Sequence, residues 1–144
     1  MKKIFLVLAA FSAIASCSSD DSTPEPNVIG MWKIGKSITY QTSTQENITN
    51  EPKGCSVMNT IDFTESDARV VGYAANDNKC IEDHIVTMKY TYNPKTKQMI
   101  FYDDMNIPYT VTELTKTNMI IEGKMNVDMD GVVDIIKTYF TRVK

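Results

Sequence analysis

Few residues of this 144-residue sequence could carry out catalysis. His84 is its one histidine, and a Ser-His-Asp triad would need it beside an activated serine, for which no Gly-x-Ser-x-Gly turn is present. Two acidic pairs, Glu82-Asp83 and Asp103-Asp104, could hydrolyse a glycoside only at a fixed separation of their carboxyl groups. Both pairs fall at expected strand ends, where solvated turn residues are the ordinary interpretation. We therefore expect no enzymatic activity and no cofactor.

A calcium-like pattern occurs near the end of the chain. Asn126-x-Asp128-x-Asp130-Gly131 places oxygen ligands at alternate positions with glycine at the sixth, as a calcium loop does. The twelfth position, where such loops carry a bidentate glutamate, is Lys137. Expected strands flank the pattern instead of helices, so a hairpin turn is the better interpretation. With no Cys-His spacing motif either, the sequence predicts no metal site.

The thiol of Cys17 is the other chemical candidate. It follows a short apolar run, 4–15, that is shorter than the roughly 20 residues a membrane-spanning helix needs and is typical of a removed secretory segment. The small residues of Ile14-Ala15-Ser16-Cys17 resemble the lipobox of bacterial lipoproteins. The resemblance implies cleavage before Cys17, a diacylglyceryl thioether on its sulfur and an acyl chain on its new amino group. An ordinary secretory signal with a chance cysteine is the alternative.

The segment after Cys17 predicts a location. Residues 18–27 are polar, acidic and proline-containing, which is typical of a disordered tether. A cysteine followed by serine and paired aspartates, as in 17–21, is similar to the export signal of some Bacteroidetes lipoproteins. The resemblance implies an outer-membrane lipoprotein exposed at the cell surface, with a periplasm-facing position as the alternative. Two or more acyl chains anchor stably because each buried methylene contributes about 0.8 kcal/mol.

The chain is expected to divide into a leader, 1–16, a tether, 17–27, and one domain, 28–144. The leader removes two of 15 basic residues, which leaves 13 basic against 18 acidic residues and a net charge of −5. No run of lysine or arginine is present. This balance argues against binding to nucleic acid and against binding to a membrane through a polybasic patch. The lipid on Cys17 is left as the expected membrane contact.

Two cysteines remain once Cys17 is assigned to the lipid. Cys55 and Cys80 form an even pair in an oxidising compartment, which predicts a disulfide between them. Closing a loop of about 25 residues should stabilise the fold by about 3 kcal/mol. A metal site would need further ligands nearby, and His84 is the only histidine.

From Met31 onward, apolar and polar residues alternate with the period of a β-strand, and no stretch of eleven or more keeps helical spacing. The pattern predicts an all-β domain. Turns rich in Pro, Asn, Asp and Gly link its strands as hairpins, except that 42–54 is expected to be a long mobile loop. Eight strands are expected, at 31–41, 57–64, 68–74, 84–92, 98–103, 106–114, 118–125 and 132–143.

A flat sheet of eight such strands would expose two edges, and closure into an up-and-down barrel removes both. Met88 and Tyr90 fall on one face of their strand while Thr87 and Lys89 fall on the other, as a wall that is apolar inside and wet outside requires. The last strand is apolar on both faces. This predicts packing of its outer face against the N-terminal segment or a partner.

Gly30-Met31-Trp32, just before the first strand, is similar to the Gly-x-Trp signature of lipocalins, and the run 28–34 resembles the start of Bacteroidetes lipocalin-like lipoprotein domains. The two later cysteines and the segments 109–115 and 139–143 fit the same family in order, so the resemblance covers 28–144. It implies an eight-stranded antiparallel lipocalin-like β-barrel. It also implies that Trp32 closes one barrel end while Arg142 stacks over it as a cation–π pair.

The interior of an eight-stranded barrel is either filled by side chains or holds one small ligand, and the sequence leaves both open. Methionines suit an adaptable apolar pocket, and the candidates for its lining, each with the alternative of a packed core residue, are Met88, Tyr90, Phe101, Tyr109, Met119 and Met125. The expected function is non-catalytic binding or carriage of a small hydrophobic ligand. The alternative is a packed interaction module, an accessory subunit or inhibitor that contacts another envelope or extracellular protein through 42–54.

Overall fold

The computed structural model of the protein describes residues 25–102 and 106–144. Cys17 and the pair Asp103-Asp104 lie outside the described residues, so lipidation of Cys17 stays a prediction. No helix in the two described segments is long and apolar enough to cross a membrane. The described chain forms a short 3-10 helix, Gly54–Met58, and nine strands: β1 Gly30–Gln41, β2 Glu46–Asn50, β3 Thr60–Phe63, β4 Asp67–Asn76, β5 Lys79–Asn93, β6 Gln98–Tyr102, β7 Pro108–Leu114, β8 Asn118–Met125 and β9 Asp134–Arg142.

The sheet closes on itself. Its strands are antiparallel to their neighbours in the order β2-β1-β3-β4-β5-β6-β7-β8-β9, and β1 also pairs with β9. This closing seam runs from the pair Trp32 and Arg142 at one end to the pair Tyr40 and Ile135 at the other. Eight strands, β1 and β3 to β9, therefore form an antiparallel β-barrel, which confirms the predicted fold class.

The prediction of a mobile loop at 42–54 is wrong. β2 lies within it and pairs with the second half of β1, from Ser37 opposite Asn50 to Gln41 opposite Glu46. A turn with Gln45 at a φ of 59° joins the two strands. All five residues of β2 are exposed. A two-stranded ribbon that is exposed to solvent on both faces needs no apolar residues. Its polar composition therefore resembles that of a loop.

β1 changes its neighbour halfway along. Gly30 to Lys33 pair with β3, and pairing with β2 begins at Ser37. Gly35 lies in the irregular stretch between, where a Cβ would approach the Tyr139 carbonyl oxygen of β9 to 2.8 Å. The 3-10 helix connects β2 to β3, so the strand predicted from residue 57 begins only at Thr60.

The predicted disulfide is present and fixes this helix. Cys55 of the helix bonds to Cys80 at the start of β5, with the two Cα atoms 5.3 Å apart. The side-chain oxygen of Asn59, just after the helix, accepts a hydrogen bond from the backbone N–H of Tyr73 in β4 at 2.9 Å. The connection between β2 and β3 is thereby attached to the β4–β5 hairpin at two points.

The core fills the barrel end at which β1 begins, which we call the closed end; the opposite end is the open end. Phe63 and Tyr90 meet edge-on with ring centroids 5.0 Å apart. The Tyr90 hydroxyl donates to the Thr64 carbonyl oxygen at 2.6 Å, and burial raises the pKa of Tyr90. The largest fully buried apolar side chains are Trp32, Phe63, Met99, Val111 and Met119.

Candidate functional site

Between the packed core and the open end, the barrel contains a cavity of about 340 Å³ that is partly open to solvent, which we call the barrel cavity. Small-molecule sites occupy roughly 300–1,000 Å³, so this volume suits a compact ligand. The sequence left open whether side chains fill the barrel interior or leave room for a ligand. The structure has a packed core in one half of the barrel and a cavity in the other. The lining side chains come from seven strands: Ile34, Ile61, Met88, Phe101, Tyr109, Ile121, Gly123, Met125, Ile136, Thr138 and Phe140.

Four of the six candidate residues line the barrel cavity, namely Met88, Phe101, Tyr109 and Met125. The other two, Tyr90 and Met119, belong to the core and are 5% and 0% exposed. Each faces inward as predicted but is packed among the side chains of the core cluster.

Sequence reasoning missed the contribution of the last strand. Ile136, Thr138 and Phe140 alternate along β9 and all line the barrel cavity. Their alternation with a period of two could have revealed them. However, Ile135 and Tyr139 make the opposite face of the strand equally apolar, so the pattern does not identify the inward face. Only the pairing with β1 and β8 shows which set faces inward.

An aromatic wall forms where a glycine makes room for it. Tyr109 of β7 stands opposite Gly123 of β8, and a Cβ on Gly123 would lie 2.6 Å from Cε1 of the Tyr109 ring. The ring therefore lies over the glycine. Phe101 meets Tyr109 edge-on, with centroids 5.5 Å apart and planes inclined at 75°. Together they give this side of the cavity a rigid apolar surface.

The barrel cavity is lined without formal charge. Among its described lining residues, Tyr109 carries the one ionisable side chain and Thr138 the one aliphatic hydroxyl. Nowhere in residues 25–102 and 106–144 do three or more His, Cys, Asp or Glu side chains group as a metal site requires. The chemistry that this lining offers is apolar contact with limited hydrogen bonding.

His84 lies on the same face of β5 as Met88, nearer the open end. Its imidazole ring covers Gly72 of β4, where a Cβ would approach Cε1 to 2.0 Å. Nδ1 lies 3.5 Å from an Asp83 carboxylate oxygen, and both side chains are 59% exposed. His84 is thus a solvated residue of the open end.

A buried carboxylate ties two loops together at the open end. Asp134 is fully buried. Its Oδ1 accepts the N–H of Thr42 at 2.9 Å and its Oδ2 accepts the N–H of Val127 at 3.2 Å. The Thr42 hydroxyl also donates to the Val133 carbonyl oxygen at 2.7 Å. Asp134 therefore connects the β1–β2 turn to the loop between β8 and β9.

The acidic side chains of the calcium-like pattern accept backbone hydrogen bonds within the turn. Asp130 accepts the N–H of Val132 at 2.7 Å, and this hydrogen bond is the main cause that lowers the Asp130 pKa. Asp128 accepts the N–H of Asp130 at 3.2 Å. Such Asx hydrogen bonds stabilise tight turns, in line with the hairpin interpretation.

At the closed end, Arg142 lies over Trp32 with its guanidinium carbon 4.1 Å from the ring centroid. It also donates to the carbonyl oxygens of Ile29 at 2.7 Å and Lys116 at 2.9 Å. Gly30 has a φ of 115°, and a Cβ there would lie 2.8 Å from the Arg142 guanidinium. The spacing of glycine and tryptophan thus reflects a backbone turn that leaves room for the arginine.

On the outer wall, the second apolar face of β9 forms a shallow groove of about 460 Å³, which we call the outer groove. The Lys137 ammonium lies 3.5 Å from a Glu122 carboxylate oxygen there. Residues 25–29 pack at the closed end, so they do not cover this face. The lining comprises Ile38, Tyr40, Asn47, Thr49, Glu122, Ile135, Lys137 and Tyr139.

The chain is similar to several solved structures at low sequence identity. A deswapped triple mutant of bovine odorant-binding protein is 17% identical, with a TM-score of 0.44 over 79% of this chain and 72% of that one. Bovine odorant-binding protein in complex with undecanal is 14% identical, with a TM-score of 0.47 over 84% and 76%. Aphrodisin, a sex pheromone from female hamster, is 12% identical, with a TM-score of 0.45 over 82% and 76%.

No protein of curated function matches the sequence. The model of the lipocalin-like domain family matches residues 28–121, more than half of the chain. That range begins just before the Gly30-Met31-Trp32 signature and reaches into β8. The chain belongs to the lipocalin-like domain family.

Proposed function

We propose that this protein is a bacterial envelope lipoprotein, anchored through Cys17, whose barrel binds or carries a small hydrophobic molecule without catalysis. The observation that carries the binding proposal is the barrel cavity, an unfilled volume of about 340 Å³ lined almost entirely by apolar side chains. Transfer of apolar surface from water into such a lining provides about 25 cal/mol per Å².

The entry of the chain into the barrel suits an anchored protein. The backbone reaches the closed end through Asn27, whose carbonyl oxygen accepts a hydrogen bond from Arg142. Val28 is buried and its carbonyl oxygen accepts the Trp32 indole N–H at 2.7 Å. A tether from Cys17 would therefore join the barrel at the closed end and leave the open end, next to the barrel cavity, free for exchange of ligand.

Titration calorimetry with butylbenzene tests ligand binding. We expect saturable binding of one molecule per protein, and we expect Ile136→Trp, which fills the barrel cavity, to weaken it by about tenfold or more, equivalent to 1.4 kcal/mol. Ile135→Trp is the matched control, because its side chain lies on the outer face of the same strand. Absence of binding to the native protein, or equal binding to both variants, would refute the proposal.

Two cell experiments test the anchor and the location. Lipidated protein should incorporate labelled palmitate, and Cys17→Ser should abolish the label while leaving the barrel folded. Protease added to intact cells should remove the domain if it is displayed at the surface. Full protection would favour the periplasm-facing alternative, and palmitate label retained in Cys17→Ser would exclude Cys17 as the anchor.

The outer groove favours a second candidate function, docking of another envelope or extracellular protein. The apolar outer residues of β9 lie there beside β1 and the exposed strand β2. On that account, Tyr40→Ala and Tyr139→Ala should weaken partner binding and leave butylbenzene affinity unchanged. The ligand proposal predicts the reverse sensitivity, with Ile136→Trp as the damaging change.

A further inference from the structure

We propose that the barrel cavity selects uncharged ligands that carry one hydrogen-bonding group, and that Thr138 is the residue that recognises this group. The inference rests on the proposed binding function and specifies the ligand class. Three features of the described residues lead to it: the volume of the cavity, its lack of charge, and a hydroxyl without a protein partner.

The volume sets the size of the ligand. A cavity of about 340 Å³ equals the volume of about eleven liquid water molecules at about 30 Å³ each. A ligand of about ten non-hydrogen atoms therefore fits. Met88 and Met125 contribute flexible thioether side chains that adapt to small differences in shape.

The lining excludes charged groups of either sign. Among the described lining residues there is no Lys, Arg or His to pair a carboxylate, and no Asp or Glu to pair an ammonium group. An ion buried without a partner loses its hydration and gains nothing in return.

Thr138 supplies a polar contact in this apolar surface. It lies in β9 between Ile136 and Phe140, and all three side chains line the barrel cavity. Its hydroxyl forms no hydrogen bond with any side chain or backbone group in the described part of the chain. A ligand hydroxyl or carbonyl oxygen that reaches it gains a hydrogen bond, whereas a pure hydrocarbon does not.

Three ligands with the same phenylbutyl body separate these effects: butylbenzene, phenylbutanol and phenylbutanoate. With the native protein at pH 7, we expect phenylbutanoate to bind at least about 100-fold more weakly than phenylbutanol, because its ionised group has no partner. Its affinity should rise toward that of the alcohol as the pH falls to about 4–5, where a carboxyl group of this kind becomes protonated.

Variants of one position then test recognition. Thr138→Val keeps the shape but removes the hydroxyl, so phenylbutanol should bind about fivefold more weakly while butylbenzene is unaffected. Thr138→Ser restores a hydroxyl and should keep the preference for the alcohol. Thr141→Val, an outward change on the same strand, is the control and should change neither ligand. Thermal unfolding confirms that each variant is folded.

The outcomes separate this inference from the proposed function. Phenylbutanoate that binds as tightly as phenylbutanol at pH 7 would overturn charge exclusion. A Thr138→Val variant that weakens all ligands equally, or none, would overturn the role of Thr138. If the native protein binds none of the three ligands, the proposed function itself fails, whatever the variants do.

Discussion

Arg142 determines the stability of the closed end through one stacking contact and several hydrogen bonds. Replacing it by alanine removes the cation–π contact with Trp32 and leaves the Ile29 and Lys116 carbonyl oxygens without their donor. We expect Arg142→Ala to lower the free energy of unfolding by about 2–4 kcal/mol, combining about 0.5–2 for the stacking with the lost charged hydrogen bonds.

Urea unfolding measures this loss. Lys144→Ala, an exposed change two residues later, should fall within about 0.5 kcal/mol of the native protein. Arg142→Lys should recover only part of the stability, because lysine lacks the planar fork that reaches separate acceptors. If Arg142→Ala were as stable as Lys144→Ala, the arginine would not hold this end.

Tyr90 makes stability depend on alkaline pH. Burial raises its pKa above the ordinary value of 10.0, so the folded state retains a proton that the unfolded state loses. This contribution to stability is complete below about pH 10 and is lost as the pH rises through the folded-state pKa. The melting temperature should therefore fall more steeply above pH 10 in the native protein than in Tyr90→Phe.

Tyr102→Phe is the matched control, since that ring is 52% exposed. Burial also raises the pKa of Tyr92, so Tyr90→Phe should retain some alkaline sensitivity. Parallel pH profiles for the native protein and Tyr90→Phe would contradict the role assigned to Tyr90.

At the scale of elements, Asp134 joins the β1–β2 turn to the β8–β9 loop. Asp134→Ala leaves the partly buried N–H groups of Thr42 and Val127 without their acceptor, and a hydrogen bond to a charged group contributes about 1.5–3 kcal/mol. We expect a loss of about 2–4 kcal/mol in the free energy of unfolding, measured by chemical denaturation. Asp134→Asn retains one carbonyl acceptor and should lose about half as much.

Faster hydrogen exchange of the Thr42 and Val127 amides should accompany the loss in Asp134→Ala. Glu122→Ala serves as the control, because its pair with Lys137 lies on the outer wall and such surface pairs contribute about 0–1 kcal/mol. Unchanged exchange at both amides would show that the two loops are held by other contacts.

The disulfide is the second connection between elements. It joins residues separated by 25 positions, and a loop of that length predicts a loss of about 3 kcal/mol when both cysteines become serine. Thermal or urea unfolding of the native protein and of Cys55→Ser/Cys80→Ser measures it directly. A double variant with native stability would show that the 3-10 helix is fixed without the covalent bond.

At the scale of the whole molecule, much of the fold could be predicted from sequence. The period of two marked the strands that form the barrel, and the resemblance to lipocalins implied that Trp32 and Arg142 close one of its ends. β2 escaped prediction because a solvated hairpin has the composition of a loop. The barrel cavity escaped it because the space left inside depends on strand register, as the opposition of Tyr109 and Gly123 shows.

The division of the candidates for the cavity lining was also beyond prediction from the sequence. Tyr90 and Met119 are as apolar and inward-facing as Met88 and Met125, yet they are buried in the core and do not line the cavity. The alternation predicts on which face of the sheet a side chain lies, but not its position along the barrel axis. That position depends on how the side chains pack in three dimensions, which a single sequence does not specify.

Native mass spectrometry of the protein purified gently from its own envelope tests the central claim most directly. We predict a bound, uncharged small molecule that is lost on denaturation and is absent from Ile136→Trp, whose cavity is filled. Ile135→Trp should retain it. An unliganded mass that persists after incubation with a total lipid extract, or equal retention by both variants, would contradict binding in the barrel cavity.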